Sequence, residues 1–206
     1  MRVNDFIDYL KYGDTSNLTI VQNLKIGDAE EVQEAQRALI SYINIGLQAL
    51  HTRFNLKVGM EVVPFGGSKL INLKAKDVVH VTKVQDAEGE PLKFLTVTGA
   101  EYDIETLAFN TYLLKEEAKG DLYFLYAKTC EPVFDILNEI DLPPAFTQAL
   151  IYYVAMRAYA SVGGNTKEDH SVFHSRYQSE LDDLERLGYT RLAESPHMHV
   201  RSEGFR

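Results

Sequence analysis

Residues 142–188 read LPPAFTQALIYYVAMRAYASVGGNTKEDHSVFHSRYQSELDDLERLG, and this stretch leaves few folds open. Proline is tolerated in a first helical turn and disfavours helix just before it, so Pro143-Pro144 predicts a helix start near Ala145. Phe146, Ala149, Leu150, Tyr153, Val154 and Arg157 then share one face, and Gly163-Gly164 ends the helix. Asn165 can cap a second helix while Glu168 reaches back to it. The stripe of that second helix is Phe173, Tyr177, Leu181, Leu184 and Leu187. Burying each large apolar side chain contributes about 1.5–3 kcal/mol, so two facing stripes hold a helical hairpin together without any ligand.

Upstream, the grammar changes twice. Residues 1–54 read as helical: a short piece around Asp5 to Lys11, then a long helix from Ala29 to Phe54. Val32, Ala35, Leu39, Tyr42, Ile43, Leu47, Leu50 and Phe54 form the stripe of the long helix. Asp28 is its N-cap candidate, with Glu31 at the capping-box spacing. Gly46 inside that helix loses about 1 kcal/mol of propensity, which predicts close packing against a neighbouring backbone. Between residues 55 and 130 the period drops to that of strands, in the runs MEVVPF, DVVHVTKV, LKFLTVT, TYLLKEE and DLYFLYAKT. Gly66-Gly67, Glu88-Gly89 and Lys119-Gly120 mark turns that need positive φ. The stretch EPVFDILNEID reads ambiguously. The expectation is an α+β protein, mainly a helical bundle with an inserted small antiparallel β-sheet and an extended C-terminal tail. It comprises a single domain over residues 1–188 (helices 1–54, β insertion 55–130, helical hairpin 142–188) and an arm over 189–206.

Composition narrows the function. A chain of 206 residues can bury one respectable core, and a hydrophobic fraction of 45% with 25% charged is ordinary for a soluble protein. No long apolar run predicts a membrane span, and the acidic residues within MRVNDFIDYLKYGD argue against a secretory signal. Cys130 is the only cysteine, which predicts a buried, inert thiol and cytoplasmic folding. The net charge is −9, and residues 131–188 hold four basic against ten acidic side chains. That bias excludes a basic stripe for gripping nucleic acid, and an acidic surface suits a channel wall past which DNA slides.

Chemical motifs are few. His170 and His174 lie one helical turn apart with Asp169 adjacent, a spacing acceptable for two metal ligands. The segment HSVFH lacks the glutamate of HEXXH, however, and His170 falls on the stripe of Phe173 and Tyr177, so packing or subunit-interface histidines are the favoured reading. In SPHMHVR, His197 and His199 would point the same way from a strand, and a solvated or partner-docked tail is favoured over a metal site. FGGSK and VGGNTK do not fit a phosphate loop, and no GxSxG elbow is present. No cofactor, no metal and no catalytic residue is expected, hence no enzyme.

The helix LPPAFTQALIYYVAMRAYASVGG followed by SRYQSELDDLERLG resembles the C-terminal helical pair of head-to-tail adaptor (connector) proteins of tailed bacteriophages, especially the tail-tubular type of short-tailed phages. The segment AQRALISYINIGLQALHTRFNLK is similar to the long helix that leads into that family's β insertion. The resemblance implies a structural virion protein that forms a homo-oligomeric ring, usually a dodecamer, between the portal protein and a tail nozzle or tube protein. DNA would cross its lumen without sequence-specific binding. The ring would sit at the virion neck after assembly in the host cytoplasm, without contact to a membrane. Phe146, Leu150, Tyr153, Arg157, His170, Phe173, His174 and Tyr177 would belong to the packing helices of the ring. Residues 189–206 would be a portal-docking arm, with Leu192, Pro196, Val200 and Phe205 as anchors, Arg191, Arg201 and Arg206 as charge partners and His197 and His199 among them. A terminus without a partner is the plain alternative for those residues. The alternatives for the whole chain are another head-completion or tail-completion connector or, from a different class, a metal-assisted hydrolase using His170 and His174.

Overall fold

A computed structural model describes residues 1–64, 67–95, 103–116, 120–161 and 167–189, without the side chains of 160–161 and 167–170. Within these the chain is mixed helix and sheet: α1 (Val3–Tyr12), α2 (Thr19–Ile26), α3 (Ala29–Phe54), β1 (Val58–Val63), β2 (Leu70–Asn72), β3 (Val78–Gln85), β4 (Ile104–Ala108), β5 (Thr111–Leu114), β6 (Leu122–Lys128), α4 (Thr147–Ser161) and α5 (Lys167–Arg186). The described residues form two units, one from Met1–Phe54 together with residues 130–189, the other from residues 55–129.

In the helical unit, α3 starts where its capping box forms. The Asp28 carboxylate accepts the amides of Glu30 (3.0 Å) and Glu31 (2.9 Å), and the Glu31 carboxylate accepts the Asp28 N–H at 3.2 Å. Ala35, Leu39, Ile43, Leu47, Leu50 and Phe54 of the expected stripe are buried, and Val32 and Tyr42 are half-buried at its margin. Asn55, at φ 48°, ends the helix in the left-handed region. Gly46 is indeed a close-packing point, but its neighbours are side chains rather than backbone. A Cβ there would lie 2.6 Å from Leu150 Cδ1 and 2.8 Å from Tyr153 Cδ1. The helix α2 escaped the sequence reading because it is short and buries only Val21 in its length.

The proline pair starts a 3-10 turn, Pro144–Phe146, that runs into α4. This helix is more than a one-faced amphipath: Ala149, Leu150, Tyr153, Val154, Ala155 and Ala158 are all buried because α3 and α5 cover it from two sides. Arg157, expected on the buried face, is exposed, with its guanidinium over the Tyr153 ring at 5.4 Å. On α5, Phe173, Tyr177, Leu181 and Leu184 are buried as expected, but Leu187 is 74% exposed. The reason is a C-terminal cap. Gly188, at φ 88°, donates to the Glu185 carbonyl and Tyr189 N–H to that of Leu184 (3.3 Å), a Schellman arrangement that turns the chain away after Arg186. The glycine turn at 163–164 and the Asn165 cap lie outside the described residues.

In the β unit, one antiparallel sheet has the order β1-β6-β3 and the other β2-β5-β4. Residues of both sheets share one core: Ile71, Leu73, Val84, Ile104, Tyr112, Leu114, Leu122 and Phe124. The Tyr112 ring meets Phe124 at 5.3 Å and Phe94 at 6.4 Å. A single small sheet was expected, and two form because β2 and β4, unrecognised in the sequence, pair with β5. The run LKFLTVT yields no ladder strand among its described residues: Phe94 bridges to Ile104, Leu92 N–H donates to the Val84 carbonyl and Leu95 N–H to that of Ile104, and the Lys93 carbonyl accepts from the amides of Asp103 and Ile104. Gly67, Gly89 and Gly120 adopt φ of 86°, 86° and 85°, as the turns require.

Candidate functional site

The helical hairpin α4–α5 is fastened by rings. Tyr153 meets Tyr177 edge-on at 5.4 Å, and Phe173 lies 6.3 Å from Tyr152 and 5.4 Å from Tyr159. Arginines close the margins. Arg157 donates to the Tyr153 hydroxyl at 3.0 and 3.1 Å. Arg176 lies over Tyr152 and Phe173 while pairing with Asp14 at 2.7 Å, and Arg53 holds Glu185 at 2.7 and 3.0 Å. Burial, reinforced by Tyr153 and offset by Arg53, raises the Tyr177 hydroxyl above its ordinary range. Glu180 is likewise raised, first by desolvation and then by the Asp183 carboxylate.

Phe146 and Leu150 are fully buried within the unit, and Tyr153, Phe173 and Tyr177 nearly so, so these five pack the protein's own hairpin. A side chain already buried within one chain has no surface left for a neighbouring copy. Arg157 and His174 lie exposed, on α4 and α5 respectively. The His170 side chain falls outside the described residues, as do Arg191, Leu192, Pro196, His197, His199, Val200, Arg201, Phe205 and Arg206. Among the described residues no group of three or more His, Cys, Asp or Glu is placed to hold a metal ion, and no helix is long and apolar enough to cross a membrane.

The ambiguous stretch 131–141 proves to be an irregular strap bound to both α1 and α3. The Asn44 carboxamide clamps Val133, donating to its carbonyl and accepting its N–H, both at 2.8 Å. Buried His51 donates through Nε2 to the Asp141 carbonyl at 2.9 Å. The amides of Val3 and Asn4 donate to the carbonyls of Asn138 and Ile136, and Ile140 N–H donates to that of Met1.

Where this strap begins, it leaves an open, mostly apolar groove of about 680 Å³ along α3. Ile45, Ala49, Thr52 and Arg53 form one side, and Cys130 and Pro132 the other. Cys130 is therefore half-buried and not the enclosed thiol expected from its apolar neighbours; its Sγ lies 3.6 Å from Gln48 Oε1. The sequence did hold a signal for this groove: Ile45 and Ala49 are apolar positions of α3 off its buried stripe. In the β unit, Phe109 and Leu107 at the β4–β5 turn are 70% and 49% exposed. Comparisons with known protein families and with curated proteins return no match to this chain.

Proposed function

We propose that this chain is a non-enzymatic structural protein of a virion neck. Copies close into a ring, in the expected case of twelve, between a portal protein and a tail protein, and DNA passes through the lumen without sequence-specific contacts. In finer terms this is a mainly helical ring-forming bundle with a β insertion and a C-terminal arm that docks on the portal.

The observation that carries the reading is the α4–α5 hairpin. Most of its rings and aliphatic side chains are consumed in packing α4 between α3 and α5, which leaves the outer side of α5 mostly polar, with Asp182 and Asp183 exposed and Val172 the apolar exception among its described side chains. Such a face repels phosphates rather than holding them, as a conduit for DNA requires. The succession of a long helix, a β insertion and this hairpin also has the order of elements that the connector resemblance implies.

The test mixes purified protein with the portal of the same virion and images the product by electron microscopy. A ring seated on the portal is expected, and a protein that stays monomeric beside its portal refutes the reading. Deleting residues 192–206 should abolish capture by portal in a pull-down; unchanged capture would remove the docking role from the tail.

A further inference from the structure

We infer that β1 is a self-association edge, which pairs antiparallel with β1 of a second copy of this chain across a two-fold axis at Met60 and joins the two β1-β6-β3 sheets into one. The inference does not depend on the connector reading.

The edges of the two sheets are not alike. Bulges, lysines and covering segments keep a free edge from pairing, and β3 has all of them. Its register with β6 shifts at two points, it carries Lys83, and its end is covered where Leu92 N–H donates to the Val84 carbonyl and Gln85 bridges Pro91. At β4, Phe94 bridges Ile104 and Leu95 N–H donates to the Ile104 carbonyl, while β2 is only three residues long. By contrast β1 runs six residues in unbroken register, from Val58 opposite Ala127 to Val63 opposite Leu122, without lysine, proline or bulge. Because Lys128 N–H donates to the Lys57 carbonyl, the odd-numbered residues of β1 bond to β6. Val58, Met60 and Val62 therefore turn their N–H and carbonyl groups to the other side, where β1 has no ladder among the described residues.

The side chains of these three residues are 58%, 55% and 42% exposed, and half-buried Leu125 and Tyr123, the cross-strand partners of Met60 and Val62, widen the apolar patch on the same face. An open backbone edge beside an apolar face calls for a strand, and β1 is complementary to itself. Antiparallel pairing about Met60 sets Val58 opposite Val62 of the partner subunit and Met60 opposite Met60 of the partner subunit. Every outward N–H and carbonyl then has a partner, and apolar side chains meet apolar ones. On the other face Glu61 comes opposite Gly59 of the partner subunit and Lys57 opposite Val63 of the partner subunit, so no like charges stand opposed. Neighbouring registers are poorer. A slide of two residues one way sets Val58 against Pro64 of the partner subunit, which has no N–H to donate, and the other way sets Val62 against Leu56 of the partner subunit, outside the strand. With β3 blocked, one copy cannot add its β3 to the next copy's β1, so the contact is two-fold and closes at two copies.

Sedimentation of the full-length protein should show a dimer that dissociates on dilution. Met60→Lys, at an exposed side chain, should weaken dimerisation about tenfold or more without changing the circular dichroism spectrum, whereas Leu107→Lys, at an exposed apolar position of β4, should leave dimerisation as it is. The register is read by disulfide formation in a glutathione buffer, with Cys130→Ser removing the native thiol. Met60→Cys should cross-link to its own copy. Val58→Cys and Val62→Cys, each about 14 Å from itself across the axis, should fail alone and cross-link when mixed. A chain that sediments as a monomer at about 0.1 mM would overturn the inference, as would a dimer indifferent to Met60→Lys. Self-cross-linking of Val58→Cys or Val62→Cys as fast as that of Met60→Cys would overturn it too.

Discussion

Gly46→Ala separates intrinsic helix propensity from packing, because the two have opposite signs at this position. In an unconstrained helix the substitution stabilises by about 1 kcal/mol. Here the new methyl would stand 2.6 Å from Leu150 Cδ1 and 2.8 Å from Tyr153 Cδ1, against about 3.5–4.0 Å for a normal carbon contact. Leu150 can swing its terminal methyl, but it is fully buried and has little room. The Tyr153 ring cannot turn aside without breaking its edge contact with Tyr177 and its bonds from Arg157. Relief therefore requires α4 to move off α3, and overpacking of this kind costs about 1–3 kcal/mol, more than the propensity gain.

The net expectation is a destabilisation of up to about 2 kcal/mol, a fall in Tm of up to about 8 °C for a chain of this size. Circular dichroism at 222 nm is the assay, since all five helices of the described chain belong to the helical unit and report on it. The Gly46→Ala/Leu150→Ala pair should be less damaging than the sum of the single changes by about 1 kcal/mol or more, because removing the leucine makes room for the methyl. A rise in Tm for Gly46→Ala alone would refute the close-packing argument outright.

Asn44→Ala removes both bonds to Val133 and leaves a buried residue's N–H and carbonyl without their partner. A loss of about 2–3 kcal/mol in urea unfolding is expected, with faster proteolysis inside residues 131–141; a change below about 0.5 kcal/mol would show that the clamp is not structural. Glu180 carries a raised pKa, so the folded state binds its proton more tightly than the unfolded state does. Its contribution is neutral below the ordinary carboxylate value of 4.5 and becomes unfavourable as pH rises through the raised value. Glu180→Gln should accordingly raise Tm at pH 7 and leave it unchanged near pH 4, and the reverse pattern in a pH series of melts would contradict the burial argument.

Much of the helical unit was legible because its signals are local. Asp28 and Glu31 announce the start of α3, the spacing of Leu39, Ile43, Leu47 and Leu50 its buried face, and Pro143-Pro144 the start of the hairpin's first helix. Each works through atoms a few residues apart, so no distant partner is needed to interpret it. The β unit was legible only in part. Turn glycines and Val-rich runs gave β1, β3, β5 and β6, whereas β2 is too short to show a period and β4, reading IETLA, holds its strand through pairing with β5 rather than by propensity.

What the sequence determined alone was the alternation of helix, sheet and helix, the acidic bias of the last helical part and the points where α3 and the hairpin's first helix begin. The tertiary structure alone decided that Gly46 is packed by Leu150 and Tyr153 rather than by backbone, and that Leu187 and Arg157 leave the buried face. It also decided that residues 131–141 bind α1 to α3 and that Cys130 opens on a groove. These depend on which distant segments meet, a choice made by shape and desolvation over the whole unit, and no spacing within one segment encodes it.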